Sequence, residues 1–178
     1  MKSIQLVTGR QIAPSMIRTA VEFDRHYYDD ALCTDADICI QIYAKNPEIG
    51  FGALDPETHS VLGWLTFCPI SYQAFAKLEC GSPDNTLTTE DILTYSDNQW
   101  YYGYLADIVV HPSYQGQGIA HQLITVWRQF IVQLKIGRNI HFISILADAV
   151  TPAGNRLVRK LGFNSIGPSD HHSELFIL

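Results

Sequence analysis

Residues 105–121 read Leu105, Ala106, Asp107, Ile108, Val109, Val110, His111, Pro112, Ser113, Tyr114, Gln115, Gly116, Gln117, Gly118, Ile119, Ala120, His121. The first half closes a run, 101–110, that is aromatic and β-branched as a central strand should be. His111, Pro112 and Ser113 end it. Beyond the glycines, Ile119, Leu123, Trp127, Phe130 and Leu134 recur at helical intervals, flanked by Ile124 and Ile131, which predicts one amphipathic helix over 119–134. A strand therefore passes into a helix through two closely spaced glycines. Glycine lets the backbone turn with positive φ and lets its N–H groups approach a ligand with no Cβ in the way. The helix start adds unpaired N–H groups and the positive end of a dipole, so the natural occupant is an anionic phosphate.

Two familiar phosphate loops do not fit. A Walker loop needs Lys and then Ser or Thr after its last Gly, where this chain has Ile119 and Ala120. A dinucleotide fingerprint needs a third Gly or Ala where His121 stands, and its first Gly follows the strand directly, whereas residues 111–115 intervene here.

Working outward, the sequence predicts a first strand over 4–8, a helix over 14–28 with Met16, Ile17, Ala20, Val21 and Phe23 on its apolar side, and a second helix from near Thr34 to before Pro47. Residues 50–54 and 61–67 read as a hairpin around a turn-rich 55–60. A segment over 71–99 has a short helix at 72–78 and then Gly, Pro, Asp and Thr, an irregular insertion of the kind that is functional or mobile. On the carboxyl side come a strand at 140–146, a helix at 152–161 with Gly162 past its end, and a last strand at 175–178. The order is one strand, two helices, several strands, then βαβαβ.

With 178 residues, 47% of them hydrophobic and 17% charged, the chain has the length and composition of one globular domain over 1–178. Eighteen Asp and Glu against twelve Lys and Arg give a net charge of −6, the wrong sign for a nucleic-acid partner. The longest apolar stretch, 61–70, is half the length of a membrane span and contains Thr66 and Pro69, and the amino-terminal apolar run is too short and polar for a signal peptide. Cys33, Cys39, Cys68 and Cys80 have neither C-x-x-C spacing nor a neighbouring His in ligand register, so the expectation is reduced thiols, a cytoplasmic location and no metal.

The loop resembles the cofactor signature of the GCN5-related N-acetyltransferase (GNAT) superfamily, Q/R-x-x-G-x-G/A, through Gln115, Gly116, Gln117, Gly118, Ile119 and Ala120, with the lead-in Val110, Pro112, Tyr114. A second match is Asn155, Arg156, Leu157, Val158, Arg159, Lys160, Leu161, Gly162, Phe163, similar to the superfamily's late helix ending in K-L-G-F. The resemblance is tight over about 100–165 and architectural before that. It implies an α/β fold with a mixed, mostly antiparallel sheet flanked by helices and splayed at the strand before the Gly-rich loop. It also implies acetyl-CoA as acyl donor, with Ile108, Val109 and Val110 on pantetheine, Gln115, Gly116, Gln117, Gly118, Ile119, Ala120 and His121 on pyrophosphate, and Asn155 beside the cofactor. Lys135, Arg138, Arg156 and Arg159 read as solvated helix surface, and His111, His171 and His172 as structural or exposed.

Acyl transfer needs a neutral amine, and a lysine-like amine of pKa about 10.4 must first lose a proton. Asp107 is the one carboxylate on the central strand and the candidate base; some superfamily members, such as glucosamine-phosphate acetyltransferases, have a Glu-Asp pair where this chain has Ala106, Asp107. Many members have a Tyr, thought to protonate the leaving thiolate, where this chain has Val158. The resemblance places the early helices over the acceptor, and Asp24, Tyr27 and Tyr28 would suit a cationic amine by charge and cation–π contact. The expectation is an N-acetyltransferase acting on a primary amine of a small molecule. A protein lysine or amino-terminal acetyltransferase and a non-catalytic acyl-CoA-binding module stand as alternatives, and a homodimer is left open.

Overall fold

The structure, a computed structural model, describes residues 4–178. Seven strands form one sheet: β1 (Gln5–Thr8), β2 (Gly50–Leu54), β3 (Val61–Ile70), β4 (Trp100–Val110), β5 (His141–Ala149), β6 (Asn164–Pro168) and β7 (Glu174–Ile177), in the order β1-β2-β3-β4-β5-β7-β6. Every pairing is antiparallel except β4 with β5. The helices are α1 (Pro14–Asp24), α2 (Ala36–Lys45), α3 (Tyr72–Glu79), α4 (Ile119–Arg138) and α5 (Pro152–Leu161).

Two irregularities in β4 position everything that follows. Against β3, Asp107 pairs with Thr66 and Leu105 with Phe67, so Ala106 is the extra residue of a β-bulge that bends the strand. Against β5, pairing runs from Trp100–His141 to Leu105–Ala147 and goes no further, while β4 stays paired with β3 to Val110. The sheet therefore splays beyond Leu105, and the β5-facing edge of Ala106 to Val110 is left without a strand partner.

All ten residues of β3 are buried, as expected for a strand covered on both faces. On one face α4 and α5 pack Ile119, Leu123, Trp127 and Val158 onto Leu65, Phe67, Leu105 and Phe176. Contact is close: a Cβ on Gly63 would lie 2.9 Å from Ile119. On the other face α1, α2 and α3 pack Ile17, Phe23, Ile42, Phe75 and Leu78 around Trp64 and Tyr104.

Some elements differ from the sequence expectation. α1 ends at Asp24, four residues short of the expected end, because the backbone tightens into a turn in which the Tyr27 and Tyr28 amides both bond the Asp24 carbonyl. Asp35, not Thr34, caps α2 by accepting from the Asp37 amide. α4 runs on to Arg138, since Arg138 is pinned by Glu48, Asp97 and the Tyr95 carbonyl and is not the free surface cation expected. β6 went unread because an edge strand with Gly167 and Pro168 carries no apolar alternation. The 71–99 insertion is irregular after α3 yet packed: Ile92 bridges Ile70, and Asn46 Nδ2 donates to the Leu93 carbonyl.

Candidate active site

The splay opens adjoining spaces that share wall residues, Tyr28 among them. A groove of about 420 Å3 lies between the outer end of β4 and the starts of α4 and α5. Ile108, Val109, Val110, Gln115, Gly116, Gly118, Ile119, Ala120 and His121 all border it; exposed Gln117 and half-buried Asn155 do not. Gly116 and Gly118 adopt φ of +73° and +84°, the left-handed region that favours glycine. A Cβ on Gly116 would meet nothing within 4 Å, so the loop presents open space there. Gly118 caps α4 without any side-chain hydrogen bond, so the first-turn amides of a 20-residue helix are free to hold an anion. The free edge of β4 and these amides together suit a donor with an extended amide arm and a pyrophosphate.

Tyr27 stands at this groove and does not line the inner cavity. Its hydroxyl donates to the Val110 carbonyl at 2.8 Å and accepts from Gln115 Nε2, tying the end of β4 to the loop. Asn155 instead donates to the Ala149 carbonyl at 3.4 Å, with Oδ1 buried and unpartnered.

Between β4 and β5 a narrow space of about 60 Å3 runs inward past Ala106, Ile108, Asp148, Thr151, Leu157 and Val158. It reaches a cavity of about 110 Å3 walled by α1, α2, β3, β4 and the 71–99 segment. Tyr28 borders all three spaces. Asp24, Asp84, Asp107, Asp148 and His171 line the cavity among aliphatic and aromatic side chains. Asp29, Asp30, Asp35 and Asp37, near in sequence to Asp24, are exposed and take no part in its lining. Among the described residues, no three His, Cys, Asp or Glu side chains are grouped to hold a metal ion.

Burial sets the electrostatics of this cavity. It raises the carboxyl of Asp24 furthest, to about 9, with Asp107 and then Asp84 adding repulsion. Asp84 is pushed up to about 7 by burial and by Asp107, against the pull of a hydrogen bond from the Tyr104 hydroxyl at 3.1 Å. Burial also raises Asp107, and a hydrogen bond from Thr66 holds it down. Burial, and after it the surrounding carboxylates, raise the Tyr28 phenol well above its ordinary range.

The donor behind Asp107 has a fixed direction. Trp64 Nε1 can only donate, and it does so to the Tyr43 hydroxyl at 2.7 Å. An ionised Asp107 can only accept, so the Thr66 hydroxyl donates to it and takes its own hydrogen bond from the Tyr43 hydroxyl at 2.7 Å. On the opposite wall His171 Nε2 lies 2.7 Å from Asp148 Oδ2, with side chains 12% and 11% exposed. His171 is thus a cavity residue, and Asp148 and Thr66 are site residues that sequence reasoning passed over.

The family model for the acetyltransferase (GNAT) domain matches residues 85–165, the stretch that runs from the cavity wall through β4 and the glycine loop to α5. Those residues carry a GNAT acetyltransferase domain. Its fold is that of the loading GNAT-like domain of CurA from Lyngbya majuscula, with a TM-score of 0.68 at 13% identity over 99% of this chain and 97% of that one. Arabidopsis thaliana NAA60, solved with a bisubstrate analogue, gives a TM-score of 0.61 at 14% identity over 99% and 97%. The mosquito arylalkylamine N-acetyltransferase like 5b gives 0.62 at 13% identity over 99% of both chains. No curated protein matches the sequence. As a GNAT acetyltransferase the chain uses an acyl-CoA donor, and no helix among the described residues is long and apolar enough to cross a membrane. In this GNAT chain the position that offers Val158 is buried and carries no transferable proton.

Proposed function

We propose that this GNAT acetyltransferase moves an acetyl group from acetyl-CoA directly to the primary amine of a small molecule that arrives positively charged, within a single domain. One observation carries the reading: the groove at the glycine loop opens, through the β4–β5 splay, into a small acidic cavity, with Tyr28 bordering every part of the path.

The donor supplies an activated acyl thioester. Backbone groups of Ile108, Val109 and Val110 would pair with its pantetheine arm, and the amides of 115–121 would hold its pyrophosphate. Ala106 and Asp148 would border the acetyl end, in the space facing the cavity. Acidic side chains draw the ammonium in, and Asp107 takes its proton at the carboxylate, leaving the amine lone pair free to attack. Holding the two reactants across the splay supplies much of the rate by positioning.

The cavity also favours a small acceptor over a protein one. Pro83, Asp84, Leu87 and Ile92 of the 71–99 segment form one of its walls, which supports a molecule of a few atoms over a peptide laid in an open groove. Thiol release from acetyl-CoA, measured against cationic, neutral and anionic amines and against peptides, tests the reading. Turnover with cationic small amines above all others is expected; a preference for peptides or anionic amines would overturn it.

A further inference from the structure

Asp24 and Asp107 have no cation to face in the cavity, and Asp84 has only the His171 imidazole, whose charge opposes the rise in its pKa. Asp148 turns Oδ2 to His171, but Asp24, Asp84 and Asp107 belong to none of the ion pairs among the described residues, and no Lys or Arg lines the cavity. Asp24 Oδ1, Asp148 Oδ1 and His171 Nδ1 are shut off from solvent with no partner at all. Buried carboxylate oxygens left this way carry a desolvation cost that a bound cation relieves.

A single reacting amine does not relieve it through the reaction. Its nitrogen enters as an ammonium, loses one proton to Asp107 and through it to solvent, gives a second to the departing sulfur, and ends as a neutral amide. The charge that remains complementary to the cavity must sit elsewhere on the acceptor. Asp148 borders both the cavity and the space where the thioester would lie, whereas Asp24, Asp84 and Asp107 border the cavity alone, Asp107 standing between Ala106 and Ile108, which border that space. The walls between are aliphatic and aromatic, including Ile17, Val21, Leu87 and Tyr104. At about 110 Å3 the cavity is smaller than the roughly 150 Å3 that admits benzene, so it holds a chain of only a few carbons.

Resting on the reading of this cavity as the acceptor site, we propose that the acceptor carries a second cationic group, held by Asp24 and Asp84 while its primary amine faces Asp107: a short aliphatic diamine. The second charge stays throughout turnover and fixes which nitrogen meets the thioester.

The test compares diaminopropane through diaminohexane with butylamine and γ-aminobutyrate as acceptors of acetyl-CoA. The diamine of best length is expected to exceed butylamine at least tenfold in kcat/KM, roughly the discrimination of one hydrogen bond to a charged group. Asp84→Asn is expected to reduce that ratio toward one, with its thermal midpoint and acetyl-CoA affinity as folding controls. Should that variant not fold, calorimetry of diaminobutane and butylamine on the wild-type chain decides the matter, with tighter diamine binding expected. Equal use of butylamine and diaminobutane overturns the second cation but leaves an amine acetyltransferase. Transfer to peptides alone, or to none of these acceptors, overturns both.

Discussion

Asp107 draws its importance from three neighbours that no sequence window joins to it. Trp64, Tyr43 and Thr66 form a one-way chain of hydrogen bonds whose last proton is given to its carboxylate. If Asp107 is the base, Asp107→Asn lowers kcat by about 10² to 10⁴ at neutral pH with acetyl-CoA affinity kept; wild-type turnover across the pH range would contradict that role. The base works ionised, so kcat/KM falls as the pH drops through about 6, where burial has raised Asp107. Thr66→Val removes the donor that holds this carboxyl down, so the acid limb is expected to move to higher pH, and Thr66→Ser is expected to restore it. Superimposable profiles for all three proteins would rule out the role of Thr66. Asp24, Asp84, Asp148 and Tyr28 face the same space and shape the profile, but none of them changes in that comparison. At this scale Asp107 was legible because it is the only carboxylate on an obvious central strand. Thr66 was not, since its role depends on a cross-strand register that the bulge at Ala106 sets.

The loop and helix that follow β4 were the most legible elements, because two glycines between a β-branched run and a 3.6-residue repeat leave few alternatives. Their geometry gives a direct consequence. Gly118→Asp would place a side chain in a left-handed φ and a negative charge at the amides of α4. Calorimetry with acetyl-CoA is expected to show affinity falling by about tenfold or more; unchanged affinity would remove the loop from the donor site. Elements whose form depends on tertiary contact were read less well. The turn after α1 bonds back to Asp24 and so sends Tyr27 to the groove and Tyr28 to the junction, a parting that a continuous helix over 14–28 would not give. The 71–99 segment has no periodic signal after α3, yet its packing supplies the cavity wall that bears Asp84.

Across the whole molecule, the mostly antiparallel sheet and the helices on both faces follow the expectation drawn from the resemblance to the superfamily. The convergence of Asp24, Asp84, Asp107 and Asp148 was not legible, because they come from four distant parts of the chain and only the splay brings them together. That convergence of buried carboxyls costs stability as they ionise. Asp84 binds its proton more tightly when folded, at about 7 against an ordinary 3.8, so between those values the folded chain holds more protons than the unfolded one and stability falls as pH rises. Asp24 and Asp107 act in the same direction. Asp84→Asn is therefore expected to raise the thermal midpoint at about pH 8 by a few degrees, the effect of about 1 kcal/mol in a chain of this size, and to change it little at about pH 4. A midpoint lowered at both pH values would mean that Asp84 supports the fold more than it strains it. The path from groove to cavity is tested by a crystal structure with coenzyme A bound. The account predicts the pyrophosphate on the amides of 115–121, the pantetheine arm along Ile108 to Val110, and the sulfur between Ala106 and Asp148, open to the acidic cavity. A sulfur that ends away from the splay, or a pyrophosphate bound off the glycine loop, would contradict it.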